Sequence, residues 1–510
     1  MLKWRSSFPA RLQQTPLVSL ALGLAVLLVC AAYGFLLSRD LPIALIMGAP
    51  VAAVVAVVGL RRPELLTVAL LAITWGYVSE VLVKFQGAPS VAKSIVVLLV
   101  LVVLYQRIMT PGFRLATHPL LWWMLAYTLV VCAGLWYAEH PERTWLVVID
   151  VTKELLLLFV VMNTLTTERW LARGVLAMLL VGAVLASLTL YQELTRSYGN
   201  SFGGFARSSI GQIADGVSNR ARAGGPINEP NAFGQQMLVL VPIGLWAAFY
   251  ARTILARVIG GYAAFACLAG AALSFSRGAY LALIVMVVLL AVRSRLNWRY
   301  LLLLPLLLFA LNNSPPELRA RFTTLYSLLP GGERQAGERD ASLERREIQM
   351  QMAVYMFLDH PLVGVGADNY SALFRKYVTS YGSDVDVDTR NAHSYYLEIA
   401  AEHGVLGLLV IGGVMIVTLI SLRRARLAFK AVGNERMAEL ATALRISFIC
   451  YAVTAIFLHG DYTRFFWLQV DIAAACSLVA MRLAGSSLAP TAADPHPLPL
   501  TLTGRGEVAH

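Results

Sequence analysis

Long apolar runs, each near 20 residues, follow one another along almost the whole chain and are separated by short polar breaks. A run of that length crosses a hydrocarbon core of about 30 Å as a helix. Strands of a membrane barrel would be shorter and would alternate strictly. The pattern predicts an all-α polytopic membrane protein with about fourteen (12–14) transmembrane helices. They fall near 16–37, 42–60, 64–84, 91–107, 119–138, 144–163, 170–191, 232–251, 254–274, 278–293, 298–312, 404–421, 438–459 and 465–482. The opening run Pro16–Leu37 is too long for a cleaved leader and reads as an uncleaved anchor.

The breaks carry the orientation. With residues 1–15 in the cytoplasm, the short inside loops hold Arg61–Arg62, Arg107 with Arg114, Arg293–Arg295 and Arg423–Arg424–Arg426, while short outside loops are poor in Lys and Arg. This is the positive-inside bias. It predicts an inner (plasma) membrane protein with both termini cytoplasmic. The domain order is then transmembrane helices over 16–191, a periplasmic loop over 192–231 and further spans over 232–312. A large periplasmic loop over 313–393, C-terminal spans over 394–483 and a disordered tail over 484–510 follow. Ser342–Leu358 reads as an amphipathic helix stopped by Asp359–His360–Pro361, with a turn at Gly364 and Gly366, so the large loop is expected to form a small helical cap.

Composition adds little to the class and more to the partners. Only 14% of the residues are charged and 58% are hydrophobic, far from a soluble domain. The net charge of +12 lies in loop clusters rather than in a nucleic-acid surface. Membrane lipids and anionic substrates suit it better. The five cysteines, Cys30, Cys132, Cys267, Cys450 and Cys476, sit singly in apolar runs and read as small core residues.

Three clusters are candidates for chemistry, all expected at the outer face. The first is Arg220–Ala221–Arg222–Ala223–Gly224–Gly225 followed by Asn228–Glu229–Pro230–Asn231. The second is the turn Ser274–Phe275–Ser276–Arg277–Gly278. The third is His393–Ser394, nine residues, then Gly404 and Gly407. Arginine grips phosphate through a planar fork of donors, and histidine moves protons near neutrality. Each also has a plain structural reading. Arg277 can snorkel to head groups, Arg222 can be a solvated loop charge, and His393 can be an interfacial histidine. Gly404 and Gly407 can mark only close helix packing. His360 and His403 have no partners at metal spacing and read as structural; no dedicated metal site and no cofactor is indicated. Among intramembrane charges, Glu80 and Lys84 are spaced to pair, Asp150, Lys153 and Glu154 share a face, and Arg445 and Asp471 lie in the last two spans. They read as paired structural charges, or as an ion path if the protein is a transporter.

Together the clusters resemble the O-antigen ligase and O-antigen (exopolysaccharide) polymerase superfamily of bacterial membrane glycosyltransferases. His393–Ser394–x9–Gly404–x2–Gly407, Asp359–His360–Pro361–Leu362–Val363–Gly364–Val365–Gly366 with Asn369–Tyr370, Ser276–Arg277–Gly278, and Arg222 ahead of Pro230–Asn231 carry the likeness. The resemblance implies a metal-independent, inverting glycosyltransferase that takes an undecaprenyl-pyrophosphate-linked glycan as donor and a glycan or lipid-linked acceptor. It makes His393 catalytic and gives pyrophosphate binding to Arg222 and Arg277, with Arg220 the competitor of Arg222. Ser394, Gly404 and Gly407 support the site. Polymerisation of exopolysaccharide or O-antigen units is the leading expectation. Ligation to lipid A core of lipopolysaccharide, protein O-oligosaccharyl transfer, and a polysaccharide flippase are the alternatives. A flippase would show repeated halves and broken midplane helices, which the sequence lacks.

Overall fold

The computed structural model describes residues 55, 57–212, 219–293, 341–381, 391–460 and 463–488. The first and eleventh predicted spans and nearly all of the second lie outside them, as do most of the expected tail and about half of the large loop. Eleven predicted spans fall on described residues, and each coincides with a helix or a helix pair.

The helices are α1 Pro63–Trp75, α2 Val78–Gln86, α3 Val91–Met109, α4 Pro119–Tyr137, α5 Pro141–Thr164 and α6 Glu168–Thr195, then α7 Pro230–Leu238, α8 Val241–Tyr250, α9 Ile254–Leu273 and α10 Arg277–Arg293. After these come α11 Ala341–Asp359, α12 Tyr370–Ser380, α13 Tyr395–Ala431, α14 Glu435–Thr454 and α15 Arg464–Leu488. Among the described residues, eight helices or helix pairs are long and apolar enough to cross a membrane, or nine if the bent pair α1–α2 is one span. Two predicted spans miss that standard for physical reasons. Helix α5 carries Asp150, Lys153 and Glu154 within its apolar stretch, and α10 has only 17 residues. The all-α expectation needs one correction, a hairpin of β1 Arg207–Gln212 and β2 Asn219–Gly225 with Ser209 opposite Arg222. In β2 the residues Arg220, Ala221, Arg222 and Ala223 alternate with the period of a strand. Helix α15 also runs to Leu488, so the tail expected from Ala484 begins as helix.

The most enclosed spans are α7–α8, α14 and α15, and they carry the core. Helices α8 and α9 approach closely because Gly244 faces the backbone of Ala264 and Gly260 faces Ala247 and Ala248; a Cβ on either glycine would stand 2.7–2.8 Å from those atoms. Several charges in the spans pair, although Glu80 does not choose its expected partner, while the fully buried Asp471 of α15 has no hydrogen-bond partner among the described residues. The span α1–α2 bends by 61° at Gly76 and Tyr77, the latter at φ 56. The bend carries Glu80 to Arg464 at the start of α15, and Arg464 also reaches Glu154 at 3.5 Å. Lys153 pairs with Asp150. A buried pair of this kind stabilises little in itself, but losing one partner strands the other charge.

Helices α11 and α12 form a two-helix unit around Ile348, Met352, Met356, Tyr370 and Phe374. As the sequence predicts, α11 ends at Asp359 and the turn follows at Gly364 and Gly366, with φ of 69 and 99. The loop after α11 then enters helix α13. At Gly404 the helix breaks, with φ 60 and ψ −156, a region open only to glycine. In an unbroken helix the N–H groups of Val405 and Leu406 would bond the carbonyls of Ala401 and Glu402. Here Val405 and Leu406 donate to Pro361 O and Leu362 O at 2.8 and 3.2 Å, while Ala401 O and Glu402 O accept from Val365 and Gly366, each at 2.9 Å. The loop satisfies all four groups that the break exposes, as buried backbone requires. A Cβ on Gly404 would lie 2.4 Å from the Leu362 carbonyl carbon, and one on Gly364 would lie 2.2 Å from that of Glu402. Asn369 fixes the other side of the loop, accepting from His140 N and donating to Thr144 Oγ1 at the α4–α5 turn.

A Gly404→Ala substitution is therefore expected to destabilise the fold by about 3 kcal/mol or more, from disallowed backbone plus a clash that no rotamer relieves. The thermal midpoint of purified protein in detergent should fall by several degrees, and an unchanged midpoint would contradict the interlock.

Candidate functional site

The first cluster is built by the hairpin and the start of α7. Glu229 caps α7 by accepting from Ala232 N, Pro230 occupies the first turn where its missing donor costs nothing, and Asn231 donates to Glu229 Oε1 at 2.9 Å. Gly225, at φ 56, lies where a Cβ would meet the Phe233 ring at 2.3 Å. The chain can turn from strand into helix this tightly only with glycine. Arg222 leaves this corner and reaches the second cluster: its Nε donates to Ser274 O at 3.0 Å and its NH2 to Asn231 Oδ1 at 3.2 Å. The reading of Arg222 as a solvated loop charge does not survive this geometry. Arg220 pairs with Gly211 across the hairpin.

In the second cluster, Ser274 Oγ donates to Ala271 O and accepts from Ser276 N, and Phe275 adopts φ 50. Ser276 Oγ accepts from Ala279 N at 3.4 Å, which places Ser276 at the cap of α10 and Arg277 at its first helical position. Two further guanidiniums, of Arg277 and Arg346, act on Arg222 here. Burial pulls Arg222 below its ordinary pKa; Glu229 opposes that, while Arg346 and Arg277 add to it. Like charges are brought together at a cost, which an anion between them would offset.

Arg346, in the large loop, is a residue that sequence reasoning did not single out. Its signal was present. Arg346 extends the stripe Gln349, Ala353 and Met356, all buried, so α11 turns this arginine inward rather than to water.

The third cluster reaches the second through the end of α14. A Cβ on Gly278 would touch Phe457 at 3.3 Å, and two residues later the ring of His459 meets that of His393 edge to face, centroids 5.9 Å apart. His393 adopts φ 49, a strained backbone for a residue with a side chain. Ser394 is the cap residue of α13. The nine residues after it fill the first segment of the helix, about 14 Å at 1.5 Å each, down to the break at Gly404. Gly404 thus anchors the height of His393 without approaching it. Gly407 admits the His403 side chain, whose Cβ lies 2.2 Å from where a Gly407 Cβ would stand. His403 is buried edge-on to Tyr127, and His360 is exposed. Among the described residues no group of three His, Cys, Asp or Glu side chains is placed to hold a metal.

The sequence model of the O-antigen ligase family matches residues 262–412. The match bears out the superfamily resemblance and spans Arg277, the α11 helix, the Gly364–Gly404 interlock and His393. It supports an enzyme of the O-antigen ligase and polymerase type, a multi-pass membrane protein that handles a lipid-linked glycan and an acceptor. No curated protein sequence matches the chain. Arg222 and His459 lie outside the matched segment and are tied to it by the contacts above.

Proposed function

We propose that the protein transfers an undecaprenyl-pyrophosphate-linked glycan to an acceptor at the periplasmic face of the inner membrane, and that the acceptor is a second lipid-linked unit, so that exopolysaccharide or O-antigen is polymerised. The observation that carries the reading is the reach of Arg222 to Ser274, in the turn that leads into Arg277, with Arg346 of α11 near enough to act on Arg222, beside the segment that bears His459, whose ring meets that of His393. The arginines hold the pyrophosphate. The acceptor hydroxyl attacks the anomeric carbon as the bond from that carbon to the pyrophosphate oxygen breaks, and configuration inverts. His393 takes the hydroxyl proton, and the pyrophosphate leaves with its charge against the guanidiniums. The ion pairs of Glu80 and Glu154 with Arg464 and of Asp150 with Lys153 favour structural roles for these three carboxylates over an ion path through them.

Purified protein in liposomes, given undecaprenyl-pyrophosphate-linked repeat units alone, should produce a ladder of longer glycans. Product that forms only with lipid A core present would assign ligation instead, and product only with an acceptor protein would assign protein glycosylation. No transfer to any of the three would sink the enzyme reading.

The orientation is separately testable. Ser380 is exposed at the end of α12, so Ser380→Cys in a background lacking the native cysteines should react with a membrane-impermeant thiol reagent in intact spheroplasts. Labelling seen only after the membrane is broken would place this end of the bundle in the cytoplasm.

A further inference from the structure

We propose that His459 is a positioning residue for His393, fixing the orientation of its imidazole; the inference rests on the site reading given above. His459 follows the short 3-10 turn Ala455–Phe457 that ends α14, and it is buried at 7% exposure. Its ring stands at 71° to that of His393 with centroids 5.9 Å apart, an edge-to-face arrangement that resists rotation of either ring.

The connection that carries His459 is clamped to the start of α13 on both sides of this contact. Gly460 N–H donates to Glu398 Oε2 at 3.1 Å, and Tyr396 OH donates to Ala452 O at 2.8 Å. Position 460 is crowded, since a Cβ there would stand 3.0 Å from Glu398 Oε1 and 3.2 Å from the Tyr395 ring. The clamp explains how His393 is kept at φ 49, because strained backbone persists only where the surroundings over-determine it. The same connection touches the arginine cluster through Phe457 and Gly278. His459 therefore sits on a segment that touches both the α10 end of the arginine cluster and the proposed base. Nothing in its local sequence, Phe457–Leu458–His459–Gly460, signals this role.

The test measures initial transfer rates over a range of donor concentrations for reconstituted wild type, His459→Ala, His459→Phe, His459→Leu and His393→Ala. A misplaced reacting group costs up to about 100-fold in rate. His459→Ala is expected to lower kcat about 10- to 100-fold while KM for the undecaprenyl-pyrophosphate-linked donor stays within about threefold. His459→Phe keeps a flat ring in the contact and should recover most of kcat. His459→Leu fills the space without a ring and should not. Equal recovery by Leu and Phe would reduce His459 to core packing. A rise in KM matching the fall in activity would make it a donor-binding group. Equal loss in all three variants would make it a proton carrier. Each of these results overturns the positioning role, as does an unchanged His459→Ala beside an inactive His393→Ala. Turnover in His393→Ala would instead overturn the reading of the site itself.

Discussion

His393→Ala is expected to abolish detectable glycan transfer while the protein still inserts in the membrane and accumulates. A positioned acid–base group contributes about 10²–10⁴-fold to rate, or roughly 3–5 kcal/mol of barrier. The side chain stands at the start of α13, and the helix is held below it by the Gly404 interlock, so removing the imidazole leaves the support intact. The controls differ in kind. His360 is exposed, and His360→Ala should keep a rate near wild type. His403 is buried against Tyr127, so His403→Ala should lower stability more than chemistry. The measurement is single-turnover transfer from radiolabelled lipid-linked donor, together with donor binding to the purified variant. Retained turnover removes His393 from the mechanism, whereas lost donor affinity assigns it to binding.

Arg277→Lys is expected to cost about 10- to 100-fold in transfer rate, the worth of a charge-assisted hydrogen bond of about 1.5–3 kcal/mol. Lysine keeps the charge and can reach head groups, but it lacks the planar fork that matches phosphate. Arg277 opens α10, where the helix N-terminus also favours an anion. Its neighbour Arg222 is already committed to Ser274 O and Asn231 Oδ1, which orients it toward the same corner. Arg375 is exposed on α12 and serves as the control, with Arg375→Lys near wild type. Equal activity in Arg277→Lys and wild type would return Arg277 to the snorkelling reading.

The transporter alternative and the enzyme reading draw on different residues, and the ion pairs of Glu80, Glu154 and Asp150 weigh against a path through those three. Glu80 and Lys84 have the spacing of a helical pair, yet Glu80 turns to Arg464 because α1–α2 bends at Gly76 and Tyr77. Short-range spacing could suggest a partner; only the bend decided which one.

The membrane class, the helix positions across the described spans, the amphipathic helix α11 with its stop at Asp359, and the candidates Arg222, Arg277 and His393 are all legible in the sequence. These are local properties. A run of apolar residues must bury its backbone polar groups as helix in lipid, and proline and glycine act where they stand. The glycines at 404 and 407 were also visible, as packing points or as supports of the site. Tertiary structure decided that Gly404 breaks α13 so that the Pro361–Gly366 loop can take over its hydrogen bonds, and that β1 and β2 carry Arg222 to the Ser274 turn. It likewise decided that Arg346 and His459, from remote parts of the chain, join the two clusters. No periodicity encodes such meetings. They depend on how far each helix extends and where it bends, which is set by the packing of all its neighbours at once.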